Sequence, residues 1–137
     1  MRNIMKTILP ALLIMLAITA AHAAKVDTIN VYSQKMKRSL STIVYTPDAA
    51  CEAKYPVIYL LHGYSGNSTT WPRITDVARL ADTYRTIIVC PDGQNSWYVD
   101  SPVDPSMQFE TFISKELPEY IDAHYPTYAR RELRAIT

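Results

Sequence analysis

The stretch that decides the fold is PVIYLLHGYSG, residues 56–66. Its first half is a continuous apolar run, which is typical of a strand buried on both faces, and the run stops abruptly at His62 and Gly63. A second apolar run, residues 86–90, ends in the turn signal Pro91-Asp92-Gly93. The sequence therefore predicts two buried strands, each followed by a polar loop.

The segments around these two runs predict the rest of the architecture. Alternating residues in 26–32 and 40–46 indicate an antiparallel hairpin at the N-terminal side. Between the buried strands, Pro72 can occupy the first turn of a helix. The apolar face of that helix is expected to comprise Ile74, Val77, Ala78, Ala81 and Tyr84.

A later helix is expected from Phe109 onward, kinked at Pro118 and ending near His124 or Tyr125. Residues 133–137 look like the start of a third parallel strand. Alternation of strands and helices predicts an α/β protein with an open, mostly parallel sheet and helices on its faces. Ligands bind such sheets at the carboxyl ends of the strands. The loops 62–71 and 92–104 should therefore converge on one cleft.

The N-terminus has the features of a secretory signal peptide, residues 1–23. Arg2 and Lys6 precede the apolar run Ile8 to Ala21, and Ala21 and Ala23 supply the small side chains that signal peptidase requires. The run is shorter than the roughly 20 residues that cross a bilayer. We expect cleavage after Ala23, a mature domain of residues 24–137, no stable membrane insertion and a secreted or periplasmic location; an uncleaved membrane anchor is the alternative.

Composition and charge exclude several classes of protein. Hydrophobic residues make up 48% of the chain and charged residues 20%, which is typical of globular proteins and not of disordered or fibrous ones. The formal charge of +1 shows no basic stripe, so nucleic acid is not an expected partner. Cys51 and Cys90 would meet oxidising conditions after export, but the sequence leaves their pairing open.

The pentapeptide His62-Gly63-Tyr64-Ser65-Gly66 has two interpretations. It can be a plain strand-to-helix turn in which the glycines supply positive φ. It can also be a loop whose backbone N–H groups bind the oxyanion of a tetrahedral intermediate, with glycines where Cβ atoms would obstruct the approach. The pentapeptide alone leaves both open.

A resemblance favours the second interpretation. Residues 60–67 with Trp71, residues 91–98 and positions spread over 109–136 resemble the esterase family that includes esterase-D-like enzymes, S-formylglutathione hydrolases, feruloyl and acetylxylan esterases and mycolyltransferases. The resemblance implies an α/β-hydrolase-type fold and carboxylester hydrolysis through a serine acyl-enzyme, with no metal or cofactor. It also implies that the backbone N–H of Tyr64, beside Gly63, belongs to the oxyanion hole.

The remaining candidate residues would lie on the substrate side of the cleft. Trp97 and Tyr98 could stack on sugar rings or aryl acids, although core packing is an equal alternative for Trp97. His62 is a candidate contact that could instead brace the loop, and Asp92 one that could instead cap its own turn. Ser65 is also a candidate contact; a compact dyad with His62 is disfavoured because no carboxylate is placed to orient the imidazole.

The catalytic serine is not among these residues. In the family, the strand that resembles 133–137 runs into Gly-x-Ser-x-Gly, but the only glycines here are Gly63, Gly66 and Gly93, and no pair of them brackets a serine at that spacing. We therefore expect a chain truncated before the nucleophile elbow, without the Ser-Asp-His triad, inactive as it stands and prone to aggregate.

The resemblance and the expected export together imply the function of the intact protein. It is expected to hydrolyse acetyl or feruloyl esters of polysaccharides. An acyltransferase of the mycolyltransferase type and a non-catalytic exported binding module remain the alternatives.

Overall fold

A computed structural model describes residues 23–48 and 53–137. Two sequence predictions lie outside these residues: residues 1–22 of the expected signal peptide, and the pairing of Cys51. Within the described ranges, no helix is long and apolar enough to span a bilayer.

The core of the fold is a five-stranded mixed sheet. Its strands are β1 (Lys25–Ser33), β2 (Arg38–Thr46), β3 (Val57–Tyr59), β4 (Ile87–Pro91) and β5 (Arg134–Ile136). They lie in the order β1-β2-β4-β3-β5. Strand β2 is antiparallel to both β1 and β4, whereas β4, β3 and β5 run parallel to one another. The N-terminal hairpin and the third parallel strand are thus confirmed.

Strand β4 lies between two hydrophobic layers, as its continuous apolar sequence predicts. Every one of its residues is buried. Because side chains alternate along a strand, Ile87 and Val89 enter one core cluster and Ile88 and Cys90 enter the other. The sheet is therefore covered by helices on both faces.

Helices α1 (Thr70–Ile74) and α2 (Val77–Tyr84) connect β3 to β4, and α2 packs on β2 and β4. A continuous helical run covers the opposite face and connects β4 to β5. It comprises α3 (Phe109–Thr111), a π turn (Phe112–Glu116) and α4 (Leu117–His124). The buried side chains of this run are Phe109, Phe112, Ile113, Leu117, Pro118 and Ile121.

The single helix predicted after Pro72 is wrong. The structure has two helices, and Asp76 separates them because its side chain accepts a hydrogen bond from the Arg79 N–H at 3.0 Å and so begins a new helix. Ile74 and Tyr84 are 67% and 69% exposed. The apolar face of α2 consists instead of the buried Val77 and Ala81, with Ala78 partly buried beside them.

Pro118 disturbs its helix as predicted, but through a local change of helix type. Pro118 has no N–H to donate to a carbonyl one turn earlier. The preceding residues form the π turn, in which the Leu117 N–H bonds to the Phe112 carbonyl, five residues back. The helix ends at His124, where the sequence predicts its end.

Candidate active site

The loop after β3 begins at the centre of the parallel part of the sheet. The N–H groups of Leu60 and Leu61 donate to the carbonyls of Val89 and Thr137, both at 2.8 Å, so the chain stays between β4 and β5 up to this point. The indole N–H of Trp71 donates to the Leu61 carbonyl at 2.8 Å. This bond ties helix α1 to the end of β3, and the loop leaves the sheet at His62.

His62 joins the loop after β3 to the loop after β4. Its Nδ1 lies 2.7 Å from the Gly63 carbonyl, and its Nε2 accepts the Gly93 N–H at 2.9 Å. A carbonyl can only accept, so the contacts require the tautomer with hydrogen on Nδ1. The nearby Asp92 carboxylate, 3.6 Å from Nε2, therefore faces an acceptor and makes no ion pair.

The placement of His62 fits a bracing role. The residue is 4% exposed, and both ring nitrogens are occupied by backbone groups. No ring nitrogen is left to take a proton from Ser65. The disfavoured His62–Ser65 dyad is accordingly not formed.

Tyr98 closes the same connection from the other loop. Its phenol oxygen accepts the His62 N–H and donates to the His62 carbonyl, both at 3.1 Å. Burial, more than the nearby Asp92, raises the pKa of the Tyr98 phenol to about 12, so the group stays protonated. We call the side chains of His62 and Tyr98, with the Gly93 backbone they contact, the His62–Tyr98 clamp.

Gly93 makes this clamp possible. A Cβ at that position would lie 2.1 Å from Cε1 and 2.5 Å from Cζ of Tyr98. Only glycine lets the phenol ring lie directly on the backbone. Its requirement is steric, because its φ is not positive.

Two further contacts link the loops nearer the surface. The Ser65 N–H donates to Oδ1 of Asn95 at 2.8 Å. The rings of Tyr64 and Trp97 stack with centroids 5.6 Å apart and planes 23° apart, while the residues remain 64% and 75% exposed. The loops predicted to converge do so, and Trp97 is a surface residue with no place in the core.

The backbone around the cleft is strained, and glycine does not carry the strain. Positive φ occurs at Ser65 (63°), Gln94 (49°), Trp97 (55°) and Tyr98 (56°). A positive φ at a non-glycine residue costs about 1 kcal/mol or more of conformational free energy, and residues with such backbone strain cluster at functional sites. No described glycine has positive φ, so the glycines of this loop do not have the positive φ that the plain-turn interpretation expected.

The converging loops enclose a pocket of about 200 Å³. Within the described parts of the chain, neither the Gly63 N–H nor the Tyr64 N–H donates to an acceptor, and both residues are exposed at the pocket. A Cβ on Gly63 would meet no atom within 4 Å. The pocket is lined by His62, Gly63, Tyr64, Gln94, Asn95, Trp97 and Tyr98.

Ser65 and Asp92 do not line this pocket, although both were candidate substrate contacts. One carboxylate oxygen of Asp92 accepts the Gln94 N–H at 2.8 Å, so Asp92 caps its own turn as the alternative interpretation held. Gln94 and Asn95 line the pocket instead. Sequence analysis missed both, because amide side chains in a loop give no periodic or compositional signal.

Other titratable residues do not belong to the pocket. The Nδ1–H of His124 donates to the Tyr120 carbonyl of its own helix at 2.8 Å, at the exposed end of α4. Cys90 faces the core, and burial raises the pKa of its thiol to about 12, which makes it a poor nucleophile. No group of three metal-ligating side chains occurs among residues 23–48 and 53–137.

Comparison with known proteins places this geometry in a family. A family model described as "Putative esterase" matches residues 33–137. The chain is 27% identical over 113 residues to an acetyl esterase of Caldicellulosiruptor saccharolyticus, a match that covers 76% of this chain and 42% of the relative.

Solved structures of similar proteins agree in fold. A ferulic acid esterase superposes with a TM-score of 0.71 at 29% identity, covering 82% of this chain and 47% of that one. An S-formylglutathione hydrolase from Agrobacterium tumefaciens superposes with a TM-score of 0.73 at 20% identity, covering 86% and 50%. The chain thus spans half or less of the length of these relatives.

The family match covers most of the chain, and it includes both loops of the pocket and every strand from β2 onward. The superposed structures share the mixed sheet with flanking helices. This chain belongs to the esterase family, with an α/β-hydrolase-type fold.

Proposed function

We propose that the protein to which these 137 residues belong is an exported carboxylester hydrolase that works through a serine acyl-enzyme. One observation carries the proposal: the Gly63 and Tyr64 N–H groups have no acceptor among the described residues, and they lie at the carboxyl end of a central parallel strand. Ester cleavage places negative charge on a carbonyl oxygen. A positioned N–H donor stabilises that charge in the transition state by about 3 kcal/mol.

In this proposal Tyr64 supplies one oxyanion N–H, and the residue after the nucleophilic serine supplies the other. Donors help most when they need no rearrangement as the charge develops. The His62–Tyr98 clamp and the Asn95 contact to Ser65 serve that purpose, because they fix the backbone on both sides of Tyr64. His62 and Tyr98 are positioning residues in this scheme, not acids or bases.

The nucleophile has to come from outside residues 1–137. No Gly-x-Ser-x-Gly occurs among them, and the relatives are about twice as long as the matched region. We expect the serine, the acid and the histidine in that additional part. A chain of residues 24–137 alone should therefore not turn over p-nitrophenyl acetate above a heat-denatured control.

The substrate we propose is an acetyl or feruloyl ester of a polysaccharide. A relative is named as an acetyl esterase and a structural neighbour as a ferulic acid esterase. The pocket of about 200 Å³ is smaller than the roughly 300–1,000 Å³ that encloses a drug-sized ligand, so it suits the acyl end of an ester. The exposed Tyr64 and Trp97 rings beside it offer a surface on which a sugar or an aryl group can stack.

Export is supported by the basic N-terminus, the short apolar run and the small residues Ala21 and Ala23, which fit a cleaved signal peptide. A secreted or periplasmic enzyme would meet polysaccharide esters directly. The expected partners are therefore ester substrates, with no nucleic acid and no lasting membrane insertion.

The intact protein provides the test. It should release acetate or ferulate from acylated xylan oligosaccharides and should be labelled covalently by a fluorophosphonate, which reacts with an activated serine. Hydrolysis that gives way to acylated sugar when an acceptor sugar is added would favour the acyltransferase. Binding of the oligosaccharide without turnover or labelling would contradict the esterase and support a binding module.

A further inference from the structure

The carboxylate of Asp82 holds together two distant parts of the chain. Its Oδ2 accepts the Ala24 N–H and its Oδ1 accepts the Asp48 N–H, each at 2.8 Å. Ala24 immediately precedes β1, and Asp48 follows the end of β2, whose Thr46 pairs with Lys25. Asp82 thus fastens the open end of the β1–β2 hairpin to the helix that covers it.

Ala24 is where the chain enters the folded domain. It is 7% exposed and belongs to the core cluster that also contains Tyr45, Val77 and Ala81, whereas Ala23 is exposed. The boundary between solvent-exposed and buried residues at this end of the domain therefore coincides with the Ala23–Ala24 peptide bond. That is the bond at which the sequence predicts signal-peptide cleavage.

We propose that Asp82 is the binding site for the α-ammonium group of the mature N-terminus at Ala24, an inference that rests on the export step of the proposed function. Hydrolysis adds water across the Ala23–Ala24 bond: Ala23 leaves as a carboxylate, and the nitrogen of Ala24 becomes an amine that takes up a proton. The nitrogen that donates one hydrogen bond as an uncharged amide in the uncleaved chain then carries a positive charge and three donors, 2.8 Å from a carboxylate oxygen.

The surroundings favour this ion pair. The acceptor is already charged in the uncleaved chain, and cleavage adds a charge on the donor, so the hydrogen bond becomes an ion pair. Asp82 is partly shielded from water, which strengthens that attraction. The nearest cation along the chain, Lys25, extends into solvent and pairs with Asp27 at 3.0 Å, so it does not compete for Asp82. Because the Ala24 nitrogen is covered in the fold, cleavage should precede folding, and folding should then protect the new terminus from aminopeptidases.

The experiment compares two forms of the intact protein that differ by one residue. One begins at Ala24 and the other at Ala23, so the nitrogen of Ala24 is an ammonium in the first and a neutral amide in the second. Mass spectrometry of the secreted protein should first find Ala24 as its N-terminus. Asp82→Asn should then raise the unfolding equilibrium constant about tenfold more in the Ala24 form, because an ammonium–carboxylate ion pair is lost there, whereas the Ala23 form loses only the hydrogen bond of an uncharged amide to that carboxylate.

Asp76→Asn is the matched control, since Asp76 is a carboxylate at the start of the same helix and, among the residues that the structure describes, its side chain accepts a hydrogen bond only from the Arg79 N–H. Its effect should be the same in both forms. An equal effect of Asp82→Asn in the two forms would reduce Asp82 to an acceptor for an ordinary amide and overturn the proposal, as would a secreted protein that begins at another residue.

A second readout covers the case in which Asp82→Asn does not fold. In the protein with Asp82 intact, an amine-reactive reagent near neutral pH should label the α-amino group about tenfold more slowly in the Ala24 form than in the Ala23 form, whose terminus lies in solvent. Equal labelling rates would overturn the docked ammonium. An inactive protein that still shows slow labelling would contradict the esterase proposal alone.

Discussion

Two glycine-to-alanine substitutions at the pocket make the same chemical change but should have opposite effects. At Gly93, the added methyl would lie 2.1 Å from Cε1 of Tyr98. Carbon atoms in contact normally stay about 3.5–4.0 Å apart, so the ring would have to retreat by about 1.5 Å. At Gly63, the added methyl would meet no atom within 4 Å.

The geometry sets the size of each effect. Retreat of the ring breaks the two 3.1 Å hydrogen bonds between the Tyr98 phenol and the His62 backbone, worth about 1 kcal/mol each. Overpacking adds about 2 kcal/mol, and alanine regains about 0.7 kcal/mol by restricting the unfolded chain. Gly93→Ala should therefore lower the free energy of unfolding by about 3 kcal/mol, whereas Gly63→Ala should change it by less than about 1 kcal/mol.

Activity should change in a different pattern from stability. Gly63 lines the pocket next to Tyr64, and its added methyl would occupy open space. We expect that methyl to hold an ester carbonyl away from the Tyr64 N–H. A displacement of about 1 Å at a reacting centre can cost about a hundredfold in rate. Gly63→Ala should therefore retain normal stability and lose about that factor in kcat/KM.

Urea unfolding followed by tryptophan fluorescence, together with p-nitrophenyl acetate kinetics on the intact protein, measures both quantities. The reasoning would be refuted by a Gly93→Ala protein as stable as the parent. It would be refuted equally by a Gly63→Ala protein that keeps its full kcat/KM, because the methyl would then not lie where the ester binds.

Three further predictions concern single residues of the same region. The Tyr98 pKa is raised from its ordinary 10.0 to about 12, so the contribution of this phenol to stability is complete below pH 10 and is lost as the pH rises toward 12. The parent should therefore lose more unfolding free energy than Tyr98→Phe between these pH values. Equal losses in the two proteins would contradict the clamp. Trp97→Ala removes a 75% exposed ring, so it should leave the unfolding free energy within about 0.5 kcal/mol of the parent value. It should raise the KM for an acylated oligosaccharide, whereas the KM for p-nitrophenyl acetate should stay within about twofold of the parent value. Asp76→Ala removes the cap of α2 and should cost about 1 kcal/mol in urea unfolding, with Asp76→Asn retaining most of that stability.

The buried strands of this fold could be predicted from sequence because a strand covered on both faces has an uninterrupted run of apolar residues. Ile87 to Cys90 are apolar without interruption, and both faces of β4 are covered. The break between α1 and α2 was missed because apolar spacing continues through Thr75 and Asp76. A single hydrogen bond, accepted by the Asp76 side chain, begins a second helix at this point, and the spacing of apolar residues does not indicate such a bond.

The candidate site was predictable in outline only. The rule that ligands bind at the carboxyl ends of parallel strands located both loops. It did not reveal that Asn95 would reach Ser65, or that Trp97 and Tyr98 would adopt positive φ, because these features arise only when two loops distant in sequence pack together. The family resemblance supplied the chemical interpretation of His62 to Gly66, and the geometry supplied the roles of His62 and Tyr98.

The π turn before Pro118 corrects the phase of the helical run on the sheet. Twelve residues separate Phe109 from Ile121, and at about 100° per residue a regular α-helix would turn them about 120° apart. The one extra residue in the wider turn reduces that angle to about 20°, so both side chains reach the same layer, where both are fully buried. Deletion of Ser114 should therefore convert the π turn into regular α-helix and keep the phase: eleven residues at about 100° each still leave the two side chains about 20° apart, so the apolar stripe stays on the sheet.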